Sequence, residues 1–124
     1  MSCFWSTLTQ RLTEAELKQL GVQRNATQII EALKQRACRM PNVSWMGTPL
    51  SEKFQNECIK HIRDYDTKSY TQGYLTSSCD PFLLLLTQLF KWKIEFNYMN
   101  SHIHMTHKTP VRTVRFRGSR THFS

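Results

Sequence analysis

Two residues at opposite ends of the sequence carry side chains suited to covalent chemistry. Cys3 opens a segment, Cys3 to Leu12, in which Phe4, Leu8 and Leu12 recur at four-residue spacing and form one stripe of a helix. A thiol at a helix N-terminus meets free N–H groups and the positive end of the helix dipole, both of which favour the nucleophilic thiolate. His122, in Arg120-Thr121-His122-Phe123, is an imidazole able to take a proton from such a thiol. Each residue also has a plainer reading, Cys3 as part of a frayed terminus and His122 as a solvated side chain near a chain end.

Two other groupings invite chemistry. In His102-x-His104-x-x-His107, a strand would send His102 and His104 to one face, as a chelate requires. No carboxylate or cysteine stands beside them, so a solvated strand face is favoured, and neither a metal nor a cofactor is expected. Lys108, Arg112, Arg115, Arg117 and Arg120 lie in a stretch, Ser101 to Ser124, that has no acidic residue. Such a cluster could hold phosphates, which makes a basic nucleic-acid-binding domain one alternative. Against it, alternation turns Phe116 away from Arg115 and Arg117 and leaves no aromatic platform.

The cysteines, Cys3, Cys38, Cys58 and Cys79, are widely spaced and form no C-x-x-C pair, so no zinc site is expected. Cys38 and Cys58 read as packing groups on apolar helix faces. No secretory signal opens the sequence, and free thiols fit a reducing, cytoplasmic setting. The most apolar run, Phe82 to Phe90, is far shorter than the ~20 residues that span a bilayer. A length of 124 residues with 40% apolar content fits one domain, 1–124, with a core of its own. The net charge of +8 points to an acidic partner surface.

The elements that must position Cys3 and His122 follow from caps and periodicity. Thr13-Glu14-Ala15-Glu16 has capping-box spacing and starts a short helix that Gly21 ends. Asn25 caps a third helix with the stripe Ile29, Ile30, Leu33 and Ala37, stopped by Pro41. Asn42 to Gly47 reads as a loop carrying Trp45 and Met46. Thr48-Pro49 reads as a cap followed by proline at the first helical position, with Leu50, Phe54, Cys58 and Ile62 as the buried stripe. Asp66 to Cys79 is predicted to be a loop, and Asp80-Pro81 to start a central helix, apolar nearly all round, that ends near Phe90. Period two follows: Ile94, Phe96 and Tyr98 against Lys93, Glu95 and Asn97, then Ile103 and Met105 with His102 and His104 outside, then Val114 and Phe116 between Thr113, Arg115 and Arg117. Helices followed by a small antiparallel sheet make an α+β domain.

Three segments in this order resemble the ovarian-tumour (OTU) family of cysteine deubiquitinases. Cys3-Phe4-Trp5-Ser6-Thr7-Leu8 is similar to the family's nucleophile segment. Asp80-Pro81-Phe82, continuing through the Leu run to Phe96, is similar to its central apolar helix and the strand after it, with Tyr70 to Cys79 where the family has a Gly-rich stretch. Arg112-Thr113-Val114-Arg115-Phe116, followed by His122-Phe123, resembles the last strand and the catalytic histidine with an aromatic residue behind it. The resemblance implies an OTU-like fold with Cys3 as nucleophile and His122 as general base, acting on ubiquitin or a ubiquitin-like modifier in conjugates. In the family a loop of Asp-Gly-Asn type precedes the nucleophile, where this sequence has Met1 and Ser2. Many members carry an Asp or Asn two residues after the histidine, where this sequence has Ser124. These departures leave an inactive, ubiquitin-binding form of the fold as the other alternative.

Overall fold

In a computed structural model of the chain, residues 3–68 and 76–118 are described, with side chains for 4–68 and 81–118. The chain is an α+β domain of five helices and one five-stranded mixed sheet among the described residues.

The first three helices form where their caps predict. Helix α1 spans Cys3–Arg11, and α2 spans Glu14–Leu20 with a complete capping box: the Thr13 hydroxyl accepts from the Glu16 N–H while the Glu16 carboxylate accepts from the Thr13 N–H. Gly21, at φ 74°, ends α2 in the left-handed region that glycine tolerates best. Helix α3, Ala26–Gln35, is capped by the Asn25 side chain accepting from the Gln28 N–H. It closes well before Pro41, and Cys38 consequently lies in the connection after the helix rather than on its face.

Residues 42–51 depart from the expectation. Val43–Trp45 and Thr48–Pro49 are strands β1 and β2, paired antiparallel with Trp45 opposite Thr48. Met46 and Gly47 between them both have positive φ, 52° and 82°, the backbone that closes a two-residue hairpin with the twist of its strands. Thr48-Pro49 is therefore not a helix start. Ser51 is the cap, its hydroxyl accepting from the Phe54 N–H, and α4 spans Glu52–Asp64. That shift turns Gln55, Cys58 and Ile62 inward and leaves Phe54 40% exposed.

Helix α5 runs Thr76–Phe90, so its first residues are helical where a loop was expected, and Asp80-Pro81 lies inside the helix instead of starting it. Phe82 to Leu86 are each fully buried, as the unbroken apolar run requires. Lys91, at φ 54°, turns the chain directly into β3, Trp92–Tyr98. Strands β4, Ser101–His107, and β5, Arg112–Gly118, follow.

The sheet order is β2-β1-β4-β3-β5. An all-antiparallel sheet was expected, but β5 lies beyond β3 and runs parallel to it, with Ile94 beside Val114 and Phe96 beside Phe116. The link from β4 crosses the start of β3, where the Val111 N–H donates to the Lys91 carbonyl at 2.8 Å. At the far end of β5, Gly118 lies against Phe96: an added Cβ would sit 2.8 Å from the ring Cε1 and force the buried ring to shift. Ile94, Phe96, Met105, Val114 and Phe116 face α5 and the other helices and close the core.

Candidate functional site

Cys3 is the first residue of α1, as the apolar stripe predicts. The next two residues anchor that end. Trp5 is fully buried, with its ring edge-on to Phe4 and to Phe82 at 4.9 Å in each case. Its indole N–H donates to the Tyr65 hydroxyl at 2.9 Å, and Tyr65 stands edge-on to Phe82 at 5.0 Å. Trp5 is thus a core residue. The start of α1 is fastened to the end of α4 and to α5.

The other end of α1 is held by charge. Arg24 donates to the carbonyls of Thr9 and Leu12, each at 2.7 Å, and Arg112 donates to the carbonyl of Arg11 at 2.9 Å. Cations at this end also complement the helix dipole. Arg112 does more than that. It lies over the Trp92 ring at 4.9 Å and grips the Glu16 carboxylate with Nε and Nη2, at 3.1 and 2.8 Å. Trp92 Nε1 donates to the same carboxylate at 2.6 Å. Burial works to raise the Glu16 pKa, but the guanidinium, the Thr13 N–H and the indole outweigh it and leave it below the ordinary carboxylate value. Arg112, expected as one of a solvated basic cluster, is therefore half-buried and paired.

These bonds also place β5. Its first residue, Arg112, is fixed to the last residue of α1. Arg11 in turn donates to the carbonyl of Arg115 and lies over the Phe116 ring at 5.1 Å. The strand that precedes His122 in sequence is thereby joined to the last residue of α1, at the end opposite Cys3. His122 lies outside the described residues, as do Arg120 and Ser124.

The remaining titratable groups separate. His102 and His104 share the outer face of β4, with ring centroids 6.1 Å apart, whereas His107 is turned inward and buried. Its Nδ1 accepts from the Thr109 N–H at 3.0 Å, and burial, then Lys91 and Lys108, lower its pKa. The three histidines cannot converge on one ion, and no group of three or more metal-ligating side chains occurs among the described residues. Cys58 is buried in the core, and burial of Cys38 raises its thiol pKa, which disfavours the reactive thiolate. Among the described residues no helix is long and apolar enough to cross a membrane.

Sequence reasoning found Glu16 only as part of a cap and Arg112 only as part of a charge run. Neither carries a local signal for the other, since they are partners across 96 positions. In comparisons with protein-family models, curated proteins and solved structures, nothing matches the chain.

Proposed function

We propose that the chain is an OTU-like cysteine protease that removes ubiquitin or a ubiquitin-like modifier from conjugates, with Cys3 as nucleophile and His122 as general base. The observation that carries the reading is the opening of α1 at Cys3, with that end of the helix fastened to α4 and α5 through Trp5, Tyr65 and Phe82; β5, which precedes His122 in sequence, is held to the opposite end of the same helix through Arg11 and Arg112. The order of nucleophile helix, central apolar helix and final strand supports it further.

In this reading the helix N-terminus favours the Cys3 thiolate, and His122 accepts its proton. The thiolate sulfur attacks the carbonyl carbon at the ubiquitin C-terminus. The bond to the substrate nitrogen breaks, His122 protonates the departing amine, and a thioester remains. Water, losing a proton to His122, attacks the thioester and releases the ubiquitin carboxylate and the free thiol.

The test is hydrolysis of ubiquitin bearing a fluorogenic amide at its C-terminus. Cys3→Ala abolishes turnover with the melting temperature kept, and His122→Ala lowers it by roughly 10²–10⁴-fold. Full activity in Cys3→Ala would refute the assignment. Tight ubiquitin binding without turnover by the unaltered protein would identify the inactive form of the fold.

A further inference from the structure

The chain's positive charge is concentrated on its sheet. Of 9 acidic residues, Glu95 stands alone between positions 81 and 118, against Lys91, Lys93, Lys108, Arg112, Arg115 and Arg117. The buried face of β3 and β5 is apolar, so alternation sends Lys93, Glu95 and Asn97 and then Arg115 and Arg117 to the opposite, open face. The register assembles them with β4 into rows: Glu95 lies between His104 and Arg115, and Asn97 between His102 and Arg117. Lys93, His102, Arg115 and Arg117 are exposed, and Lys93 and Arg117 make no ion pair among the described residues.

We infer that this open face of β4-β3-β5 binds single-stranded nucleic acid, a function separate from thiol chemistry at Cys3. Two features favour that partner. The cations stand on adjacent strands and two residues apart, ~6.7 Å along β5, the scale on which an extended strand presents successive phosphates. The second feature lies beside them: the His102 and His104 rings, tilted 34° to each other, offer surfaces on which unpaired bases stack. An aromatic platform was not legible in the basic run because it stands on the neighbouring strand and consists of imidazoles, not of Phe116. Phosphates bind Lys93, Arg115 and Arg117, and bases lie over the imidazoles. Glu95, bonded to Arg115 at 2.8 Å, opposes the binding by occupying that cation.

The experiment is fluorescence anisotropy of the whole chain with labelled mixed-sequence single strands of about 16 nucleotides, as RNA and as DNA, and with the corresponding duplex. Single strands bind more tightly than duplex, and log K falls with log salt at a slope of about −2, the value for three phosphate contacts. Lys93→Glu with Arg117→Glu weakens binding at least tenfold. His102→Ala with His104→Ala removes the preference for single strands. Glu95→Gln, which frees Arg115, tightens binding several-fold, an effect of opposite sign that loss of folding cannot imitate. Lys53→Glu with Lys60→Glu, an equal charge change on exposed positions of α4, serves as the control. Equal weakening by the control pair would reduce the effect to net charge and overturn the inference. So would polyglutamate competing as well as RNA, which would make an acidic protein the better partner, or a Glu95→Gln variant that binds no better than the unaltered chain.

Discussion

At its C-terminal end helix α1 is held by charge, and at its N-terminal end by aromatic rings. Arg24 and Arg112 take up the carbonyls of Thr9, Arg11 and Leu12, and Arg112 is itself held by Glu16 and Trp92. At the other end Phe4 and Trp5 are packed with Tyr65 and Phe82, and one hydrogen bond, Trp5 to Tyr65, fixes the ring. Cations suit the end of a helix where carbonyls are left over. Aromatic rings at the start bring no negative charge to the positive end of the helix dipole, the end that favours a thiolate. A fold that fastened the start of α1 with a carboxylate would oppose the chemistry proposed for Cys3.

The largest stability effect expected is at the aromatic end. Trp5→Ala removes a fully buried ring and should cost about 3–5 kcal/mol in chemical denaturation. Trp5→Phe, which loses the bond to Tyr65 but keeps most of the packing, should cost much less, and equal losses would show that the hydrogen bond dominates. At the charged end, Glu16→Ala strands Arg112 and the Trp92 indole and should cost about 3 kcal/mol. Thr13→Ala, which deletes only one half of the capping box, should cost about 1 kcal/mol. Smallest is Arg115→Ala. The Arg115–Glu95 pair has the same 2.8 Å separation as Arg112–Glu16, but the Arg115 side chain is 73% exposed, so the change should stay within about 0.5 kcal/mol. A comparable loss from Arg115→Ala and Glu16→Ala would contradict the view that burial separates the two pairs.

Acid should separate two further contributions. The folded pKa of His107 lies below its ordinary 6.5, so the neutral ring is favoured in the fold. That stability is complete above pH 6.5 and is lost as pH falls through the folded value, where a protonated Nδ1 can no longer accept from the Thr109 N–H. The folded pKa of Glu16 lies below its ordinary 4.5, so its contribution persists to lower pH and is lost as pH falls through its own folded value. His107→Asn retains an acceptor and cannot be protonated, so it should flatten the first decline and leave the second. A denaturation midpoint followed from pH 8 to 3 reads both.

What the sequence disclosed follows the range of the interactions. Caps are local, and Thr13, Gly21 and Asn25 act as their spacing predicts. Alternation fixed the buried faces of β3 and β5 because it reflects one sheet face and one core. The partner and direction of β5 were not legible, since alternation is the same for parallel and antiparallel pairing. The hairpin at 43–49 was obscured by Thr48-Pro49, which imitates a cap three residues before the true one, Ser51, and by Met46 in a position more often held by Asn or Asp. Arg112 looked like its exposed neighbours because its partner, Glu16, is remote in sequence. Of the candidate site, the opening of α1 at Cys3 was legible from Phe4, Leu8 and Leu12, while His122 was reached only through the resemblance that joined it to Cys3.

The most direct measurement is reaction of the chain with ubiquitin carrying a C-terminal electrophile, read by intact mass for the unaltered protein, Cys3→Ala and Cys38→Ala. The account predicts a single covalent adduct with the unaltered protein and with Cys38→Ala, and none with Cys3→Ala. An adduct that persists in Cys3→Ala, or a folded unaltered protein that forms none, would contradict it.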